Sequence, residues 1–121
     1  MSPEQVSEHA LGKPGAWSDQ PWEGDYVAKV SDGLGGGKIF AFLGATTVGV
    51  KAGRNRDEAD EWLARYPQDA SVMPYIGRSG WNTLSLSGAI PDEELIEAVD
   101  ESYALVVARL PKKHRPRGWE Q

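Results

Sequence analysis

The chain has no cysteine and only two histidines, and these shortages exclude most metal and thiol chemistry. Without cysteine there are no disulfides, thiolate nucleophiles or cysteine-bound metals. His9 and His114 lie in the terminal segments, so a transition-metal site would have to be built largely from carboxylates. The acidic runs lack the Asp-x-Asp-x-Asp-Gly spacing of an EF-hand loop. We therefore expect no metal site and no cofactor.

Long apolar runs are also missing. No stretch approaches the roughly 18 apolar residues that a membrane-crossing helix needs. The N-terminal residues MSPEQVSEHALG have neither a basic start nor an apolar core, so they lack the pattern of a secretion signal. Together with the absence of cysteine, this composition predicts a cytoplasmic protein with no membrane contact, and we expect a monomer.

Motifs for nucleophilic catalysis and for phosphate loops fail on detail. The segment 77–80, Gly-Arg-Ser-Gly, is one residue short of a Gly-x-Ser-x-Gly elbow, and Ser79 has no evident histidine base. The glycine-rich segment 33–37 is followed by a lysine and then Ile39, where a P-loop needs serine or threonine. The acids at 57–61 lie in the first turns of a predicted helix, where the helix dipole favours them. We predict no enzymatic activity.

Charge is unevenly distributed along the chain. The net charge is −5, yet residues 1–108 hold 8 Lys/Arg against 17 Asp/Glu, whereas 109–121 hold 5 basic residues against one acid. We predict a single domain over 1–113 and a basic flexible tail over 114–121. The tail is either a solvated end or an auxiliary electrostatic arm for a polyanion.

The order of predicted elements indicates an α+β fold. Apolar periodicity and turn residues predict three helices and five strands. The helices are expected over 3–11, 55–66 and 91–110, and the strands over 25–30, 36–44, 45–51, 71–76 and 81–87. This α-β-β-β-α-β-β-α order favours a two-layer domain with an antiparallel five-stranded sheet. The segment AWSDQPWEGD before the first strand is expected to be irregular.

The segment YIGRSGWNTLSL predicts a second β-hairpin. Four residues, 77–80, separate two apparent strands, and glycines at both ends of this loop supply the positive φ angles that tight turns need. The tip of the hairpin would then present Arg78 and Ser79. The glycines are explained by loop geometry, whereas the arginine between them is a candidate ligand contact.

Basic residues near the strand ends are candidates for binding anions. Alternation places Lys29 on the face opposite Ala28 and Val30, where its ammonium must reach water, an acid or a ligand. Trp81 either offers a stacking surface or covers the sheet. For each basic residue, a solvated position on the surface is the alternative. The candidate residues are Lys29, Lys51, Arg54, Arg56, Arg78 and Trp81.

Several segments together resemble the MmcQ/YjbR-like family. They are KPGAWSDQPWEGD, AKV…GGKIFAFLG, GVK, YIGRSGWNTLSL and IPDEELIEAVDESYALVVARLPKK, and they span about 11–113. The resemblance implies a small α+β domain like that of secretion chaperones. It also implies DNA binding through a double-wing motif of two projecting β-hairpins, with no attached enzymatic activity.

By resemblance, Lys29 matches the lysine of the first family strand and Lys51 the lysine after the third. Arg78 matches a basic position shortly before the family tryptophan, which is Trp81 here. Many relatives carry a histidine immediately before this tryptophan and a basic residue before that histidine. Gly80 and Ser79 stand at those positions in this chain, which reduces the positive charge of the second wing.

Two hypotheses follow for the function. In the first, the chain is a DNA-binding protein whose basic residues contact phosphates near the two hairpins. In the second, it is a small-ligand or protein-interaction module of the same fold. The acidic body, a poor surface for a polyanion, favours the second hypothesis, as do Trp17, Trp22 and Trp81, which could line a concave site.

Overall fold

The computed structural model describes residues 1–120, and Gln121, the last residue of the predicted tail, lies outside them. The described chain forms three α-helices, six β-strands and two short 3-10 turns. The helices are α1 (Pro3–Leu11), α2 (Arg56–Arg65) and α3 (Asp92–Ala108), and the 3-10 turns are Gly77–Ser79 and Lys112–His114. The strands are β1 (Ala16–Trp22), β2 (Asp25–Ser31), β3 (Gly37–Leu43), β4 (Thr47–Lys51), β5 (Ala70–Val72) and β6 (Trp81–Ser85).

Each helix begins where the sequence supplies a start signal. Ser2 and Gln5 form a reciprocal capping box at the start of α1. The Asn55 side chain accepts a hydrogen bond of 2.9 Å from the Glu58 N–H at the start of α2. Pro91 precedes α3, whose first turn carries three acids that favour the positive end of the helix dipole. No helix of the described chain is long and apolar enough to span a bilayer.

The six strands form one sheet in the order β1-β2-β3-β4-β6-β5, and every neighbouring pair is antiparallel. Fully buried residues of the sheet, among them Ala28, Ala41 and Val50, share one core with residues of α1 and α3 such as Val6 and Tyr103. The predicted α+β class and antiparallel sheet are confirmed. The predicted count of five strands is wrong, because the structure has six.

The additional strand is β1, in the segment that we expected to be irregular. Its backbone pairs with β2, so that Trp17 lies beside Lys29 and Ser18 beside Ala28. No hydrophobic alternation marks β1, because most of its residues are exposed at the edge of the sheet. The two-residue turn before β2 has Gly24 at φ 83°, and this was the local signal for a hairpin.

The predicted second hairpin is shorter and less regular than expected. β5 ends at Val72, and residues 73–80 connect it to β6 through the 3-10 turn Gly77–Ser79. Gly80 adopts a positive φ of 100°, whereas Gly77 does not. Gly77 instead leaves room for the Val72 side chain, which a Cβ atom at this position would strike. Among the residues that the structure describes, Tyr75 is the one non-glycine residue with positive φ, at 67°.

The predicted flexible tail packs against the domain over its described residues. The Arg115 guanidinium donates hydrogen bonds to the carbonyl oxygens of Leu110 and Ala108, and it lies 5.5 Å from the centre of the Trp119 ring. Trp119 in turn packs against the main core. These contacts hold the segment because the last carbonyl groups of α3 need donors that the helix itself does not supply.

Candidate anion-binding pocket

Lys29 is neutralised by the edge strand that the sequence did not predict. Its Nζ atom lies 2.7 Å from Oδ2 of Asp19 and 5.3 Å from the centre of the Trp17 ring. Both partners belong to β1, which pairs directly with β2. The hydrogen bond from Lys29 lowers the pKa of the Asp19 carboxyl below its usual range. Ala28 and Val30 are fully buried whereas Lys29 is partly exposed, as expected from the alternation, but the ammonium of Lys29 is already paired with a carboxylate.

Arg54 and Arg56 also have carboxylate partners. The Arg54 side chain is 76% exposed and forms a bidentate ion pair with Glu58, four residues later in the chain. This contact lowers the pKa of the Glu58 carboxyl. Arg56 donates to Asp60 at 2.7 Å, to the Gly77 carbonyl oxygen at 2.7 Å and to the Asn82 side chain at 2.5 Å. Because Asn82 is fully buried, we assign Arg56 to joining α2 to the sheet.

Lys51 is the most buried of the predicted site residues, at 5% exposure. Its ammonium donates a hydrogen bond of 2.5 Å to the Ser79 carbonyl oxygen, and its backbone N–H donates to the Ser102 hydroxyl. Burial lowers the pKa of Lys51, and the positive charge of Arg109 lowers it further. This lysine is therefore held in a partly desolvated site beside a second cation.

Arg78 and Trp81 flank this site along the chain. Arg78 is exposed and has no carboxylate within 4.0 Å among the described residues. Trp81 is half-buried, and its ring meets the ring of Phe42 edge-on at 5.7 Å between centres. The tryptophan thus partly covers the sheet, which was one of the two alternatives predicted for it. It also borders a cavity.

That cavity is a pocket of about 420 Å³ at one end of the sheet. The first residues of β3, the last residue of β4, the start of β6 and the end of α3 surround it. Its lining combines three cations, one serine and four apolar residues, namely Lys38, Lys51, Arg109, Ser79, Ile39, Trp81, Val106 and Leu110. Among the described residues, no carboxylate lines this pocket. A pocket of this kind attracts anions that also carry apolar surface.

Lys38 and Arg109 were not among the predicted site residues. Each lies next to an element boundary, Lys38 near the start of β3 and Arg109 directly after α3. Their proximity to Lys51 depends on how α3 crosses β3 and β4, and no local signal in the sequence reports it. Basic residues directly before and after apolar elements were the only available indication.

Several of the cations without a carboxylate partner line this pocket or lie close to its lining residues in the chain. Among the described residues, five of the 13 Lys/Arg lie within 4.0 Å of a carboxylate, namely Lys13, Lys29, Arg54, Arg56 and Arg65. Three of the other eight line the pocket, and four follow Leu110 in the chain. We call Lys38, Lys51, Arg78, Arg109, Lys112 and Lys113 the basic end. The pKa of the Asp32 carboxyl is lowered by hydrogen bonds from the Leu34 and Gly36 N–H groups. The positive charge of Lys38 lowers it further.

A larger groove between α2 and α3, about 720 Å³ in volume, has the opposite character. Five glutamates line it against two arginines, namely Glu58, Glu61, Glu94, Glu97, Glu101, Arg54 and Arg65, so the lining has a net negative charge. Burial raises the pKa of Glu101, and the charge of Glu58 raises it further. A polyanion would be repelled from this groove, so the molecule has an acidic side and a basic end.

Comparisons with known proteins agree on the family. The family model described as YjbR matches residues 11–105. The chain is 29% identical to the uncharacterised protein YjbR of Escherichia coli over 126 aligned positions, which cover 95% of each chain. The crystal structure of the Deinococcus radiodurans protein DR2400, a DUF419 domain, has the same fold, with a TM-score of 0.83, 22% identity and coverage of 94% of this chain and 85% of that one. The chain belongs to the YjbR family.

Proposed function

We propose that this protein binds nucleic acid non-enzymatically, through phosphate contacts made by the basic end. The observation that carries the proposal is the pocket in which Lys38, Lys51 and Arg109 meet without a carboxylate on the lining. Phosphate contacts of this kind position a protein on nucleic acid without reading its sequence.

The electrostatics of the cations that lack a carboxylate partner support this proposal. Lys51 is partly desolvated and repelled by Arg109, as the direction of its pKa indicates. An anion between the two side chains relieves both costs, because it restores a counter-charge and supplies charge-assisted acceptors. A phosphate oxygen is such an acceptor. Arg78, Lys112 and Lys113 are exposed and lie within three residues of lining residues in the chain, so we include them in the proposed positive surface.

The proposed footprint differs from the one that the sequence suggested. Lys29, Arg54 and Arg56 each have a carboxylate partner within 4.0 Å, so a phosphate would have to displace it. Lys51, Arg78 and Trp81 remain in the footprint, and Lys38 and Arg109 join it. Lys38 follows the loop of the β2–β3 hairpin, and Arg78 lies in the connection between β5 and β6, so in the double-wing expectation these contacts come from the loop ends of the two hairpins.

Salt dependence of binding to labelled duplex DNA tests the proposal. Each phosphate contact contributes roughly 0.9 to the slope of log K against log salt. Three contacts therefore weaken binding about 40-fold between ~50 and ~200 mM salt, and six weaken it on the order of 1,000-fold. Binding that stays in the millimolar range or ignores salt contradicts the proposal.

Two matched variants locate the interface. Arg109→Gln removes an exposed cation of the pocket and should lower the salt slope by about 0.9. Arg54→Gln removes an exposed cation that Glu58 already neutralises, so it should leave the slope unchanged. If Arg54→Gln lowers the slope as much as Arg109→Gln does, the basic end is not the interface.

A further inference from the structure

We propose that the pocket at the basic end binds a terminal phosphate, the phosphomonoester of a nucleotide, with the nucleobase against Trp81. This inference rests on the proposed function, because it names the phosphate group that the same pocket takes. The ligand is a nucleoside monophosphate, either free or at the end of a nucleic-acid strand.

The number of cations favours a phosphomonoester over a phosphodiester. Three basic side chains line one pocket, and no carboxylate shares the lining with them. A phosphodiester inside a strand carries a single negative charge, whereas a phosphomonoester carries about 1.5 to 2 at neutral pH. The monoester also has three terminal oxygens, which can accept separate hydrogen bonds from Lys38, Lys51 and Arg109.

The shape of the pocket points the same way. Its volume of about 420 Å³ suits a small molecule, and half of its lining residues are apolar, namely Ile39, Trp81, Val106 and Leu110. A phosphate alone has no apolar surface that could contact these four residues. A phosphate attached to a sugar and a base places charge against the cations and a flat ring against the tryptophan.

Two of the contacts are already held in position. The hydrogen bond to Ser79 fixes the Lys51 ammonium and leaves its other N–H groups for a ligand. The edge-on contact with Phe42 fixes the plane of the Trp81 ring. Binding therefore loses little side-chain freedom at these two positions.

The decisive experiment compares strands that differ in one group. A single strand of about 12 nucleotides is titrated with either a 5′-phosphate or a 5′-hydroxyl, by anisotropy of a 3′ label. We expect the phosphorylated strand to bind about tenfold tighter or more, because charge-assisted hydrogen bonds to the added group are strong. Adenosine 5′-monophosphate and adenosine are compared in parallel by Trp fluorescence, which distinguishes a free nucleotide from a strand end.

Variants connect the preference to the pocket. Lys51→Met keeps an unbranched chain without the cation and should abolish the preference for the phosphorylated strand. Arg109→Gln, at an exposed position, should reduce this preference even if Lys51→Met fails to fold. Arg54→Gln should retain the full preference, since Arg54 does not line this pocket.

Each outcome separates the inference from the proposed function. Equal, salt-dependent binding of the two strands overturns the inference and leaves the proposed function standing. Binding of adenosine 5′-monophosphate without binding of either strand or of the labelled duplex upholds the pocket and overturns nucleic-acid binding. Absence of binding to the strands, the nucleotide and the duplex overturns both.

Discussion

The ammonium nitrogen of Lys51 lies 2.5 Å from the carbonyl oxygen of Ser79, across the gap between the end of β4 and the 3-10 turn before β6. Among the described residues, this carbonyl is the one hydrogen-bond partner of the ammonium, and no carboxylate lies within 4.0 Å. A buried lysine usually has a counter-charge. Within the part of the chain that the structure describes, Lys51 therefore does not stabilise the fold through an ion pair.

The stability of the protein should reveal this charge through its pH dependence. Burial, together with Arg109, lowers the pKa of Lys51 below its ordinary value of about 10.4. Between the two values the unfolded chain holds a proton that the folded chain has lost, so the free energy of unfolding rises with pH. Chemical denaturation from pH 7 to 10 should show this rise in the wild type and not in Lys51→Met.

The comparison must be made as a difference between the two proteins. Burial also raises the pKa of Tyr103 to about 12, which makes stability fall with pH above the ordinary tyrosine value of about 10. Tyr103 is present in both proteins, so its effect cancels in the difference. A difference that does not change with pH would show that Lys51 is charged equally in the folded and unfolded states.

Arg56 is expected to stabilise the fold instead of binding phosphate. Replacing it by methionine removes the donor to the fully buried Asn82 side chain and to the Gly77 carbonyl oxygen. An unsatisfied buried acceptor costs about 1–3 kcal/mol, so Arg56→Met should lower the free energy of unfolding by about that amount. Equilibrium denaturation measures the change.

Arg54 supplies the matched control for this prediction. It lies two residues earlier and pairs with Glu58 on the surface, where solvent screens such a pair and its contribution to stability is small. Arg54→Gln should therefore cost much less than Arg56→Met. Equal losses in the two variants would contradict the distinction between a surface pair and a network that joins two elements.

Elements with local signals could be predicted from the sequence, and elements without them could not. The capping residue Asn55 and the acids in the first turn of α3 identified helix starts correctly. β1 has no alternating pattern, because its side chains are exposed on an edge and only its backbone pairs. Its presence changed the interpretation of Lys29, since the carboxylate partner Asp19 comes from this strand.

Register was the second obstacle for sequence analysis. Strict alternation places Phe40 and Phe42 on the same face of β3. In the structure, Ala28 of β2 pairs with Ala41, but the next residue, Lys29, pairs with Ile39. Phe40 is therefore an extra, unpaired residue on β3, a β-bulge. Phe40 then meets Tyr103 of α3, whereas Phe42 meets Trp81. Strand-to-helix contacts of this kind decide where the pocket lies, and they join residues far apart in the chain.

Tyr75 is expected to store backbone strain. It is fully exposed and adopts a φ of 67°, which costs a non-glycine residue about 1–2 kcal/mol. Tyr75→Gly relieves this cost, while Tyr75→Ala removes the same ring and keeps it. After the greater entropy loss of glycine is subtracted, Tyr75→Gly should be more stable than Tyr75→Ala by about 0.5–1 kcal/mol in thermal or chemical denaturation.

The reverse order of the two variants would contradict the assignment of strain. Because the ring is absent from both, the comparison is free of any contact that the tyrosine makes. A stabilised Tyr75→Gly variant that binds nucleic acid normally would also show that the strain does not serve phosphate binding. Loss of binding would instead connect this exposed loop to Arg78, three residues on.

Asp100 should make the protein sensitive to acid. His9 Nε2 and Lys13 Nζ lie 2.6 and 2.5 Å from the same carboxylate oxygen, and they join the N-terminal segment to α3. Burial raises the pKa of Asp100, but the contacts with Lys13 and His9 outweigh it and leave the pKa below its ordinary value of about 3.9. The unfolded chain then takes up a proton first as the pH falls.

The contribution of Asp100 is therefore fully present above the unfolded pKa and is lost as the pH falls through the folded one. Asp100→Asn should cost no more than about 1 kcal/mol at pH 7, because the side chain is 41% exposed and solvent screens the pair. Denaturation curves from pH 7 to 2 should converge for the two proteins. The control variant is Asp25→Asn, which removes an exposed carboxylate that has no ion-pair partner among the described residues. If the gap between wild type and Asp100→Asn persists unchanged at pH 2, the loss arises from packing of the amide and not from the charges of His9 and Lys13.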